Sequence, residues 1–200
     1  MHHAVPPPRE TFSQRHPLAI VWLHWITVAV IFAGVAFVLT REEIGARELK
    51  RLLLEQHRSL GLLVLALVML RLVSRLWNRS KLVRHGLPWS LNLASAVGHW
   101  SLYILMVATP LLGWALTNAH GQDASLFGLL SLPPLVAPDT DLADTLADWH
   151  EISAWILLGL IAAHAVAALW HHYVRRDGVL RAMLPWTPGT AQPIDRSAQD

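Results

Sequence analysis

Five histidines give this sequence its scope for chemistry, because each falls inside or at the edge of a long apolar stretch: His24, His57, His99, His150 and His164. An ionisable side chain in such a setting is costly and is usually functional. One such histidine alone would be read as a hydrogen-bond donor to a neighbouring helix, but five in 200 residues point to ligation. The chain has no cysteine, which excludes disulfides, thiolate-held iron–sulfur clusters and covalent haem attachment through C-x-x-C-H. Any metal centre must therefore rest on histidine or methionine. The string His150-Glu151 is not a metalloprotease motif, since H-E-x-x-H requires histidine where Ala154 stands.

The elements that must position these residues are four apolar blocks, at about 18–39, 57–77, 91–116 and 147–173, each long enough for a span of about 20 residues. The first has no charged residue, whereas a helix of a soluble bundle would carry a polar stripe. Only 15% of the chain is charged, against about 25% in a typical soluble domain. The expected fold is all-α: an integral membrane four-helix bundle over 18–186, with a polar tail at 1–17 and a second, mobile tail at 187–200. Met1 to Pro17 is polar and Pro-rich, unlike a cleavable signal, so the first helix is expected to be retained. The pI near 9.5 does not imply nucleic acid, because the basic residues lie beside helix ends.

Those basic residues orient the bundle. Arg71, Arg75, Arg79, Lys81 and Arg84 run from the inner end of the second block into the segment after it without an acidic residue among them, and Arg175, Arg176 and Arg181 follow the fourth. Both flanks belong in the cytoplasm, as do Arg9 and Arg15, so both termini are expected inside. The segment Thr117–Asp148 has five Asp and neither Lys nor Arg, and Thr40–Gln56 balances four basic against four acidic residues. Both are expected outside. The longer one carries Pro133, Pro134 and Pro138 and then Asp139, Asp141 and Asp144, and is expected to pack over the bundle mouth. Pro110, followed by Gly113, is expected to kink the third helix.

Helix direction converts sequence position into depth. His24 lies near the inner start of the first helix and His57 near the outer start of the second. His150 enters the fourth helix from outside, and His164 follows fourteen residues later, nearly four turns on, on roughly the same face and about 21 Å further along the axis. The levels pair His57 with His150 around an outer haem and His24 with His164 around an inner haem. Two neutral imidazoles on facing helices suit a six-coordinate, electron-carrying haem, whereas structural zinc wants four ligands in one tetrahedron. Arg71 and Arg75, one turn apart at the inner end of the second helix, are candidate partners for haem propionates, with snorkelling to headgroups the alternative. His99 has no partner left and is assigned a hydrogen-bonding or propionate role. His171, His172, Trp22, Trp25, Trp170 and Tyr173 read as interfacial.

The stretches His24-Trp25, His57-Arg58-Ser59-Leu60-Gly61 running to Arg71, Gly98-His99 with Pro110 and Gly113, Trp149-His150-Glu151, His164 and His171-His172-Tyr173 resemble the bacterial cytochrome b561 family, which includes the cytochrome b subunits of nickel hydrogenases. The resemblance covers about Phe12 to Pro185. It implies a di-haem b cytochrome of the bacterial inner membrane, a multi-pass electron-transport protein, with ligands that map onto His24, His57, His150 and His164. The shorter, stand-alone members are similar to superoxide oxidases, which pass electrons from superoxide outside to ubiquinone in the membrane, and the chain has this shorter form. Two functions follow as expectations: transfer between a periplasmic donor and membrane quinone, or a haem-bearing anchor and relay for a partner redox protein such as a hydrogenase. For superoxide, Arg41, Arg47, Lys50 and Arg51 offer positive charge at the outer side, offset by Glu42, Glu43, Glu48 and Glu55.

Overall fold

A computed structural model describes residues 11–13, 17–77, 89–176, 180–185 and 191–193. Arg9, Arg15, Arg79, Lys81 and Arg84, on which part of the orientation argument rests, lie outside the described residues. Four long helices make up the body: α1 Leu18–Glu43, α2 Arg47–Trp77, α3 Trp89–Ala119 and α4 Thr140–Trp170. All four are long and apolar enough to cross a membrane. Phe32, Trp100, Ile104, Trp155 and Val166 are each more than half exposed on their outer faces. In water such a surface would invite aggregation, and in a bilayer it is the lipid-facing side.

Helices α2, α3 and α4 start earlier, and α1 and α3 end later, than hydropathy suggests. α2 begins at Arg47 rather than near 57, because Arg47–Gln56 is an amphipathic helix held partly by the Arg51–Glu55 ion pair one turn apart, 2.9 Å. The connection to α1 is only Ile44, Gly45 and Ala46. α4 starts at Thr140 rather than 147, with Asp139 as its N-cap accepting from Leu142 N at 3.0 Å. The segment between α3 and α4 is therefore shorter than expected and includes a two-stranded hairpin, β2 Ser125–Leu126 with β3 Leu130–Ser131. Its tight turn puts Phe127 and Gly128 at positive φ. α3 passes through Pro110 as one continuous helix. α4 runs on into one π turn, His171–Arg175, and Arg181–Met183 forms a short 3-10 turn whose Met183 carbonyl accepts from Trp25 Nε1 at 2.8 Å. Where a structureless tail was expected, the backbone of 191–193 pairs antiparallel with 11–13, which brings the two ends of the chain together.

α1 packs chiefly on α2, and α3 on α4, with α2 and α3 joining the two pairs. The central apolar cluster includes Val64 and Val68 of α2, Leu102, Tyr103 and Met106 of α3 and Leu157 of α4. α4 makes only slight backbone contact with α1 and α2. His24 of α1, His99 of α3 and His164 of α4 line a cleft between the helices.

Candidate functional site

His57 sits ten residues into α2, about 15 Å from its start, and its Nδ1–H donates to the Gly34 carbonyl of α1 at 2.8 Å. His150 is held the same way from the neighbouring helix, Nδ1–H donating to Thr109 O of α3 at 3.0 Å. A closed ring of bonds surrounds it: Thr109 Oγ1 donates to Ser153 Oγ at 3.0 Å, and Ser153 Oγ donates to His150 O at 2.9 Å. Gly113 leaves room for the imidazole, since a Cβ there would lie 3.0 Å from His150 Cε1. Fixing Nδ1 as the protonated nitrogen leaves Nε2 as a lone-pair donor, which is how proteins usually prepare histidine to bind a metal.

The structure brings His57 to His150, with ring centres 6.1 Å apart and planes at 88°, and His24 to His164, at 6.4 Å and 69°. An imidazole nitrogen binds a first-row metal ion at about 2.0–2.1 Å and lies about 1.1 Å from its own ring centre, so two rings on opposite sides of one ion have centres about 6.3 Å apart. Both pairs fit that spacing. His99, left unpaired by the depth argument, lies 5.2 Å from His164 between ring centres, about 1 Å too short to share an ion in that way. Its Nδ1–H donates to Ser95 O at 2.6 Å.

Beside the inner pair is a cleft with about 540 Å³ of space free of protein atoms, part of it open to the outside of the bundle. His24, His99, His164, Arg71 and Tyr103 face it together with apolar side chains of α1, α3 and α4. Arg71 and Arg75 both stand over the Tyr103 ring, at 5.8 and 6.0 Å, but only Arg71 lines the cleft. Among the described residues, the buried side-chain nitrogens without a partner are His24 Nδ1, Arg71 Nε, Arg41 Nε and Trp114 Nε1. Leaving such a group unmade costs about 1–3 kcal/mol. Two of the four, His24 Nδ1 and Arg71 Nε, belong to residues that line the inner cleft. Arg41 stands in the last turn of α1, and Trp114 is one residue beyond Gly113. The residues thus suit a flat, metal-bearing group with acidic side chains: imidazole rings at ion-sharing spacing, a cleft between helices with apolar lining, and an unpartnered Arg71 Nε.

The sequence profile of the prokaryotic cytochrome b561 family matches residues 15–186. The chain belongs to that family. It is 34% identical over 167 residues to cytochrome b561 homolog 1 of Escherichia coli K12, covering 82% of this chain and 94% of that protein. It is 32% identical over 166 residues to the probable superoxide oxidase CybB of Yersinia pestis, covering 82% of this chain and 93% of that protein. Cytochrome b561 homolog 2 of Escherichia coli K12 matches at 29% over 130 residues, 65% of this chain and 69% of its own length. With its four spanning helices, this chain is a multi-pass haem protein of the bacterial inner membrane, of the electron-transport, oxidoreductase class.

The outer pair also has neighbours that sequence reasoning did not place there. Ser59 Oγ donates to Ser125 O at 3.2 Å and accepts from Phe127 N at 3.0 Å, pinning the hairpin loop to α2 two residues beyond His57. Arg58 bonds Gln122 in the same loop. The cluster His57-Arg58-Ser59 is visible in the sequence, but nothing there says which loop it meets.

Proposed function

We propose that this cytochrome holds two haems b, one between His57 and His150 and one between His24 and His164, and carries electrons from a periplasmic donor, superoxide first, to ubiquinone in the membrane. The observation that carries the reading is the presence of two imidazole pairs at ion-sharing distance on two levels of one bundle, each with one histidine on α4. Bound there, haem would supply a one-electron carrier, held by His57 with His150 and by His24 with His164.

The protein's own part is positioning. Carbonyls of Gly34 and Thr109 hold the outer imidazoles with Nε2 free. Arg71 offers a charged donor inside the inner cleft, where a porphyrin carboxylate would meet it, while Arg75 supports the same end of α2 through Tyr103. Apolar side chains of α1, α3 and α4 line the cleft beside the inner pair. Overall, two superoxide ions give up one electron each and leave as O₂, and ubiquinone takes the two electrons with two protons to become quinol. The relative from Yersinia pestis, which bears the name probable superoxide oxidase, supports this donor, as does coverage of nearly that protein's whole length. Both termini are assigned to the cytoplasm, supported by the basic inner flanks and by the pairing of 11–13 with 191–193 at one end.

The test combines the purified protein, a superoxide source and a short-chain quinone. Haem absorbance should shift to the reduced form, and quinol should form faster than in the uncatalysed mixture. Haem reduction without quinol would favour the anchor and relay role. If superoxide fails to reduce protein that carries both haems, the donor is rejected.

A further inference from the structure

We infer that the hairpin tip Phe127–Leu130 is sunk into the lipid leaflet at the His57 end of the bundle, with its apolar side chains among the acyl chains. The inference holds for either orientation of the chain and does not depend on what the histidine pairs bind.

Depth comes first. All four helices run past the level of the His57–His150 pair: α1 ends nine residues beyond Gly34, α3 ends six residues beyond Gly113, and α2 and α4 each begin ten residues before their histidine. At 1.5 Å per residue these overhangs are about 9–15 Å long. On α1, α2 and α4 they carry charge, at Arg41–Glu43, Arg47–Glu55 and Asp141–Asp148, so they stand outside the hydrocarbon. On α2 the charges stop at Arg58, and none follows until Arg71. Ser59 is therefore the first residue of the apolar span. The hairpin is tied at that residue, to Ser125 O at 3.2 Å and to Phe127 N at 3.0 Å. The chain that leaves α3 at Ala119 thus turns back to the edge of the membrane instead of lying across the helix ends.

The tip is built for an apolar medium. No charged residue occurs from Ala124 to Pro138, although Asp123 and Asp139 flank the stretch directly. Leu129 is 89% exposed and Leu130 56%, and Phe127 is exposed beside them. Phe127 and Gly128 have φ of 53° and 70°, and the first place of such a turn in water favours Asn or Asp, so a bulky aromatic is held there against strain. The backbone is closed on itself as well. Phe127 N–H and Gly128 N–H donate to the hydroxyls of Ser59, at 3.0 Å, and Ser125, at 3.2 Å. Leu129 N–H and Leu132 N–H donate to backbone carbonyls at 3.0 and 2.8 Å, and Pro133 and Pro134 have no N–H to satisfy. In water a turn needs no such provision, because solvent completes its bonds, whereas in hydrocarbon each open N–H is costly. The two-residue strands offer little edge for another chain to extend. The exposed tip instead continues the exposed apolar faces of the helices, which lipid covers.

Because the chain has no cysteine, single-cysteine variants of the full-length protein report one position each. Leu129→Cys and Leu130→Cys would carry an environment-sensitive fluorophore in phosphatidylcholine nanodiscs, which leave both faces open to solution. Asp144→Cys on the overhang of α4 sets the aqueous limit, and Ile156→Cys on its exposed apolar face sets the lipid limit. The two hairpin labels should be quenched severalfold more than the Asp144 label by lipid carrying a nitroxide near the headgroup, and severalfold less by iodide. Ser59→Ala should move the Leu129 label toward the aqueous limit. To exclude a fluorophore that draws the loop into lipid, the unlabelled Leu129→Cys variant should react severalfold more slowly than Asp144→Cys with a charged, membrane-impermeant maleimide. A Leu129 position that matches Asp144 in iodide quenching and maleimide rate overturns the inference. So does a label shielded from both quenchers, which would mean that protein, such as a second copy, covers the tip.

Discussion

Gly113→Ala tests whether His150 is held in place by its neighbours or merely happens to be there. A methyl group at this position would sit 3.0 Å from His150 Cε1 and 3.2 Å from its Nδ1, where carbon contacts normally settle at about 3.5–4.0 Å. The ring must recede by about 0.5 Å, and it is tethered in the direction of strain by the 3.0 Å bond from Nδ1 to Thr109 O. Weakening that bond costs about 0.5–1.5 kcal/mol, and turning the ring off its rotamer about as much again. A total of about 1–3 kcal/mol corresponds to a loss of about 5- to 150-fold in haem affinity at the outer pair, with the inner pair untouched. Two control glycines separate this from a general helix effect. Gly34→Ala would meet Leu60 and His57 at ordinary contact distances of 3.7 and 3.9 Å, and Gly159→Ala would meet nothing within 4 Å. Pyridine haemochrome content and a redox titration of purified Gly113→Ala, Gly34→Ala and Gly159→Ala should show one haem weakened in the first and two intact haems in the last. If Gly113→Ala retains both haems at unaltered potentials, the packing argument is wrong, and equal loss of both would mean that the whole bundle had been disturbed.

Replacing His24 or His164 by Ala should deplete one spectral component and replacing His57 or His150 the other, so that depletion of the same component by His24→Ala and His57→Ala would break the pairing. His99→Ala should leave two haems per chain, since its ring is placed too close to His164 to share an ion with it; loss of the inner haem in that variant would make His99 a ligand. Ser59→Ala removes an acceptor for Phe127 N and a donor to Ser125 O, and should cost about 1–3 kcal/mol, seen as a lower thermal midpoint and faster proteolysis within 122–135 than elsewhere. Alkaline phosphatase fused after Asp200 should be inactive and a fluorescent protein at the same point bright, whereas active phosphatase there would put the C-terminus outside.

The histidine proximities could be read from the sequence because an apolar helix of known direction has few places to put a residue. Given alternating spans, position along each block fixes depth, and four histidines fall on two depths. Helix ends were not legible by hydropathy, since the charged stretch Arg47–Gln56 looks like a loop when only polarity is averaged. The helical signal was nonetheless present, in the opposite charges of Arg51 and Glu55 four residues apart and in Leu49, Leu52 and Leu53 among them. For α4 the warning was Pro138 followed by Asp139, a cap that starts the helix at Thr140, well before Trp149, the first aromatic of the block. The approach of His99 to His164 depends on the rotation of α3 about its own axis, which its nearly all-round apolar sequence does not determine.

Because α4 supplies a histidine to each pair, the interval from His150 to His164 acts as a ruler. Nearly four turns of helix set both the separation of the two levels and the direction in which each ring points. One inserted residue would swing one histidine about 100° around the helix relative to the other, and a whole extra turn would restore the direction but lengthen the electron's path by about 5.4 Å. Changes of length are thus excluded from this stretch by two separate requirements, one angular and one of distance. The connection Ile44–Ala46 and the residues between α2 and α3 are under neither, so they are where such a chain can gain or lose residues without changing the span its electrons must cross.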